Sequence, residues 1–150
     1  LKGGKAVARI QEHLAQWQHN RDFVQAIDPK YPDWIVTVAL YLALHAVEAL
    51  LTADGAKPRS RHQDRLQILQ SEQRYQKIYE SFKVLYDLSH VTRYSAQPGR
   101  WIPADQVEHR VIRELVYRIE TSVRHLLSAA RPPISVPPHA AIQLRRAIGA

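Results

Sequence analysis

Two side chains three residues apart, His45 and Glu48, are the first pair in this chain whose types and spacing can do chemistry. On a helix they share a face, where an imidazole and a carboxylate can hold a metal or pass a proton. Thr37 and Tyr41 precede them in steps of four, so the four form a narrow polar stripe on the otherwise apolar run 34–51. Carboxylate-bridged dimetal bundles use Glu-x-x-His twice with two further glutamates. Here the order is reversed and occurs once, so no metal or other cofactor is expected. A polar stripe on a buried helix needs hydrogen-bonding partners. Arg93 and Ser89 prolong the apolar face of a later helix and are expected to meet Glu48, His45 or Tyr41 across the core. Tyr41, His45, Glu48, Ser89 and Arg93 are therefore assigned to a structural polar core.

The second group is the basic run 57–65, Lys-Pro-Arg-Ser-Arg-His-Gln-Asp-Arg. Arg59, Arg61 and Arg65 can grip phosphates together with the amides of the helix that follows, and a solvated loop accounts for them equally well. Arg110, Arg113 and Arg124 form, with Glu120, a mostly basic face on a later helix and are assigned the same RNA- or phosphate-binding role. Arginine supplies 15 of the 21 basic residues, which favours oxyanions because the planar guanidinium binds them bidentately. A third group, Tyr75, Tyr79, Phe82 and Tyr86, has the ring chemistry of a base-stacking platform, but its helical spacing reads better as core.

The missing motifs narrow the chemistry further. The chain has no cysteine, hence no disulfide scaffold, thiol nucleophile or Cys-ligated metal. There is no Walker lysine loop and no nucleophile elbow, and five scattered glycines make no phosphate cradle. Any catalysis is left to His, Arg, carboxylates and hydroxyls. A net charge of +7 favours polyanionic partners.

These residues must be positioned by helices. The 150 residues, 45% hydrophobic and 23% charged, suffice for one domain, and the apolar periodicity is helical throughout. A first helix is expected over 5–19, continuing to 27, with Val7, Ile10, Leu14 and Trp17 inward. Two prolines at 29 and 32 break it, Asp33 caps a second helix reaching 53, and Gly55 stops that helix. A short helix follows the basic run. A fourth carries Tyr75, Ile78, Tyr79, Phe82, Leu85, Tyr86 and Ser89, and is ended by Gln97-Pro98-Gly99. A fifth, from about 104, carries Val107, Val111, Ile112, Leu115, Ile119, Val123 and Leu126. The expectation is an all-α, up-and-down bundle of four to five helices over 1–131. Residues 132–150 are expected to form a Pro-rich spacer and a short helical tail. The apolar run 34–51 approaches membrane-spanning length but holds an ionisable Glu48, so a central bundle helix is expected instead. Residues 1–9 are polar and basic, without the apolar stretch of a secretory signal, and a cytoplasmic location is expected.

Several segments together resemble the HEPN superfamily of helical domains. Pro32-Asp33-Trp34 opens a helix carrying Tyr41, His45, Glu48, Ala49, Leu50 and Leu51; Gly55 follows, then Ser60, His62 and Arg65, then Tyr86-Asp87-Leu88-Ser89 leading to Arg93-Tyr94. The resemblance spans roughly 9–131. It implies a helical bundle, commonly a homodimer, acting on RNA in toxin-antitoxin or defence settings, often beside a nucleotidyltransferase-type antitoxin. Catalytic relatives use an Arg and a His with four to six residues between them at a dimer cleft, without metal. That pattern falls here on Arg118 and His125, with the apolar Ile119 where relatives place a polar residue. The resemblance thus implies a domain that binds RNA or a partner protein. Two alternatives stand beside it: a metal-independent endoribonuclease using Arg118 and His125, and a dimerisation or adaptor domain that binds no nucleic acid and docks through its tail.

Overall fold

The computed structural model describes residues 2–57, 61–95, 102–136 and 140–146. These residues form an all-helical bundle of five helices with no strand among them. Helix α1 spans Lys2–Ala26, α2 Pro32–Ala53, α3 His62–Ser71 and α4 Gln76–Tyr94, the last preceded by a tight turn at Gln73–Tyr75. Three abutting stretches, Ala104–Gln106, Val107–Val116 and Tyr117–Ser128, make a final helix, α5. Arg59 and Ser60 of the basic run, the expected Gln97-Pro98-Gly99 stop and Trp101 lie outside the described residues.

α2 is the central element because nearly all its faces are apolar. Ile35, Val36, Ala39, Leu40, Leu42 and Ala43 are all buried, and it packs against α1, α4 and α5 at once. It is also long and apolar enough to cross a membrane, but 83% of that window is buried by its own neighbours. Its start differs from the expected Asp33 cap. Tyr31 precedes the first turn, with no side chain bonding the orphan amides, and Pro32 opens the helix, where a missing N–H costs nothing. Its end is as expected. Gly55 adopts φ of 85°, and the amides of Gly55 and Ala56 return to the carbonyls of Thr52 and Leu51. That double closure needs a left-handed residue, which glycine adopts without strain.

α1 buries Ile10, Trp17 and Val24, seven residues apart, while Val7 is exposed. Its inward stripe therefore begins one turn later than the sequence suggests. Tyr75, in the turn before α4, and Ile78, Phe82 and Leu85 of α4 are buried, with Tyr79 and Tyr86 half-buried, so the aromatic stripe is largely core, as its spacing indicates. α5 buries Val107, Val111, Leu115, Ile119, Val123 and Leu127, a strict spacing of four. An α-helix rotates such a stripe by about 40° per repeat. Over Val107–Val116 the helix opens to wider turns with amides reaching five residues back, as from Tyr117 to Ile112. These turns keep the stripe on the core. The same stripe buries Leu127 and leaves the expected Leu126 half-buried.

The residues after α5 return to the bundle. The Ile134 amide bonds the Leu127 carbonyl at 3.0 Å, and Ile134, Val136, Ile142 and Leu144 pack against the core. Residues 140–146 are irregular rather than the helical tail expected.

Candidate nucleic-acid interface

The polar stripe of α2 finds partners, but not those anticipated from its sequence. Thr37 Oγ1 donates to the Asp33 carbonyl at 2.9 Å. Tyr41 is 40% exposed and does not belong to the core. His45 Nδ1 lies 3.0 Å from His13 Nδ1 on α1, one ring donating and the other accepting. Glu48 accepts from Arg65 Nε at 2.5 Å, both side chains being buried. Arg65, expected to hold phosphate, is instead the buried counter-ion of Glu48. Arg93, expected in that place, is half-buried, bonds the Ser89 carbonyl at 3.2 Å and lies over its neighbour Tyr94. The reason is geometric. Arg65 reaches inward from the first turn of α3, only 17 residues after Glu48, whereas Arg93 lies in the last turn of α4 and spends its reach along its own helix. Ser89 is fully buried, and its hydroxyl has no partner among the described residues.

This cluster is kept neutral apart from its ion pair. Burial holds the His13 imidazole below its ordinary range. Burial, and then the neighbouring His13, lower His45 to about 4. His62, on α3, is lowered by burial and by Arg65 and Arg93. Two imidazoles in contact cannot both carry charge beside a guanidinium. Among the described residues no group of three or more His, Asp or Glu is placed to hold a metal.

From His62 a line of rings runs outward along α4. His62 meets Tyr86 with ring centroids 5.2 Å apart, Tyr86 meets His90 at 6.4 Å, and His90 meets Tyr94 at 4.8 Å. Tyr86, His90 and Tyr94 stand four residues apart, the spacing that aligns side chains on one helix face. The line passes from half-buried at His62 and Tyr86 to exposed at His90 and Tyr94, the last 70% exposed. Cations border it. Arg93 lies 5.5 Å from the Tyr94 centroid, Lys83 lies 6.0 Å from that of Tyr86 while bonding Asp87, and exposed Arg61 stands next to His62. Sequence reasoning settled on the inward line ending at Tyr86 and passed over the outward one, although Tyr-x-x-x-His-x-x-x-Tyr is legible in it.

The basic face expected on α5 is largely compensated. Arg110 bonds Glu114 at 2.6 Å and Arg113 bonds Glu108 at 3.1 Å. Glu120, placed in sequence on a solvated face, is buried. It accepts from Trp17 Nε1 at 2.7 Å and from Arg21 at 2.5 Å. Arg124 is half-buried, 4.0 Å from Glu120 and over the Trp17 ring. The sequence hides this Trp17–Arg21–Glu120 group because Glu120 is about a hundred residues from the other two, but Arg21 at the spacing of Trp17 and Val24 signals a buried guanidinium in need of a carboxylate.

Arg118 and His125 are both exposed, and neither makes an ion pair among the described residues. Each follows by one position a residue lining the cavity beside α1, Tyr117 and Arg124. They are thus turned about 100° away from that lining. Seven residues of helix separate them by about 10 Å along the axis, so joint action on one phosphate needs the side chains to bend together or a second subunit. Comparison of the chain with known protein families, with characterised proteins and with solved structures finds no match.

Proposed function

We propose that the protein binds single-stranded RNA over the α3–α4 face, with unpaired bases stacking on the outward rings of Tyr86, His90 and Tyr94 and the backbone phosphates meeting Arg61, Arg93 and Lys83. The observation that carries this reading is the line of four rings ending in an exposed tyrosine and bordered by cations. Aromatic rings accept any base face, and cations follow a phosphate chain, so together they favour a single strand over a duplex whose bases are already stacked. The sequence resemblance to HEPN domains points to the same class of partner. Fluorescence anisotropy with an unstructured oligoribonucleotide and a duplex of equal length tests the proposal. Tighter binding of the single strand, weakening as salt rises, is expected. Equal affinity for both, or affinity indifferent to salt, overturns it.

A second reading, a metal-independent endoribonuclease, is favoured by the exposure of Arg118 and His125 on one flank of α5. There a guanidinium would stabilise phosphorane charge while an imidazole moves the proton of the attacking 2′-hydroxyl. RNA incubated with chelator and either wild type or His125→Ala decides it, equal cleavage by both removing His125 from the chemistry.

A further inference from the structure

Between α1 and α5 runs a cavity of about 920 Å³, closed on one side by residues 140–146. Volumes of about 300 to 1,000 Å³ take small organic molecules. Among the described residues the lining carries five arginines against three carboxylates, and their pairing places the excess charge at two separate ends. At the inner end Arg21 and Glu120, each 5% exposed, bond each other, and Arg124 approaches the same carboxylate to 4.0 Å. Two guanidiniums thus share Glu120. Burial lowers the Arg124 guanidinium below its ordinary value, Glu120 offsets part of that, and Arg21 adds to it. At the outer end Arg113 bonds Glu108 at 3.1 Å, and Arg145 and Arg146 share the wall with Asp105.

These two ends lie well apart. Arg21 donates to the Ala140 carbonyl, and the Gln143 amide donates to Gln25 Oε1, one turn further along α1. Arg145 and Arg146 therefore continue away from Glu120, toward Asp105 and Glu108. From Glu108 to Glu120 the helix covers about 15 to 18 Å. Between the ends the lining is apolar, with Ile35, Ile112, Ile142, Leu144 and the ring of Tyr117. We propose that this cavity binds a linear dicarboxylate with a long apolar chain, one carboxylate at Arg124 and the other at Arg145 and Arg146. Positive charge withdrawn from water is costly unless an anion matches it, and a guanidinium meets a carboxylate through two parallel N–H groups. A dicarboxylate too short for the gap matches one end only, and a monocarboxylate leaves the second end unmatched. The cavity is built by other elements than the α3–α4 face and does not depend on strand binding there.

Isothermal titration with decanedioate, decanoate and butanedioate tests the proposal. Decanedioate is expected to bind at least tenfold more tightly than either of the others. Arg145 and Arg146 are exposed and lie outside every helix, so Arg145→Ala with Arg146→Ala leaves the bundle intact. That double variant is expected to bring decanedioate down to the affinity of decanoate and to leave decanoate unchanged. Arg124→Gln, which keeps the Arg21–Glu120 bond, is expected to weaken both. Arg61→Ala with Arg93→Ala removes the same charge from the α3–α4 face and is expected to change neither. Decanedioate that fails to bind, or binds no better than decanoate or butanedioate, overturns the proposal. So does a loss in the α3–α4 variant equal to that in the Arg145→Ala, Arg146→Ala variant, which would reduce the effect to net charge.

Discussion

Arg65 donates to Glu48 from the first turn of α3 at 2.5 Å, and the two side chains are almost wholly withdrawn from water. This pair joins the central helix to the short helix that begins the ring line. Replacing one member alone strands a buried charge, which costs about 3 to 5 kcal/mol, whereas replacing both by apolar residues of similar volume can be neutral. Glu48→Leu and Arg65→Met should each destabilise by that amount in urea unfolding, and the double variant should recover most of the loss. Simple additivity of the two losses would show that the pair is not coupled.

The Trp17–Glu120 bond gives a second, independent expectation. Trp17→Phe keeps most of the ring volume but removes the indole donor to a buried carboxylate, and hydrogen bonds to charged groups contribute about 1.5 to 3 kcal/mol. A loss in that range is expected by thermal or chemical denaturation. No measurable loss would mean that Glu120 is satisfied without the indole.

The imidazoles set a pH dependence. His45 is lowered to about 4 from an ordinary 6.5, and His13 and His62 are lowered as well. The unfolded chain therefore takes up protons at these rings before the folded chain does. Their contribution to stability is fully present above about pH 6.5 and is lost as pH falls toward 4. Glu48 and Glu12 partly offset the lowering at His13, while Arg65 and Arg9 add to it. Denaturation midpoints measured from neutral to mildly acid pH should fall steadily, and His45→Gln should flatten the profile. A wild-type midpoint unchanged across that interval would contradict the half-buried, neutral pair of His13 and His45.

The cations of the α3–α4 face should appear in the salt dependence rather than in base preference. Each phosphate contact to a single strand contributes about 0.7 to the slope of log affinity against log salt. Arg61→Ala and Arg93→Ala should each reduce that slope by about this amount and weaken binding alike for different sequences. An unchanged slope would place the phosphates elsewhere.

The helices and their inward faces were legible because they rest on local periodicity. The closure of α2 at Gly55, the core positions of Tyr75 and Phe82, and the stripe of α5 follow from spacing alone. The polar contacts were not legible to the same degree. Arg93 was expected to meet Glu48, His45 or Tyr41, but Arg65 also has the charge and reach to pair with Glu48, and only the path of α3 decides between them. Trp17, Arg21 and Glu120 form one group across about a hundred residues, a tertiary fact that no window along the chain contains. Arg110 and Arg113 looked like a basic face because sequence shows charges and not their pairing with Glu114 and Glu108. The outward line Tyr86, His90 and Tyr94 was present in the spacing, and what made it a candidate site was its exposure.

The most direct measurement is the affinity of an unstructured oligoribonucleotide for wild type, Tyr94→Ala, His90→Ala and Tyr117→Ala at one fixed salt concentration. Tyr94 and Tyr117 are both strongly exposed tyrosines, 70% and 63%, but only Tyr94 belongs to the ring line. Loss of a stacked base costs about 1 to 3 kcal/mol. The expected result is a roughly five- to hundredfold weakening for Tyr94→Ala, a loss of similar kind for His90→Ala, and unchanged affinity for Tyr117→Ala. Wild-type affinity retained by Tyr94→Ala and His90→Ala would contradict stacking on this face.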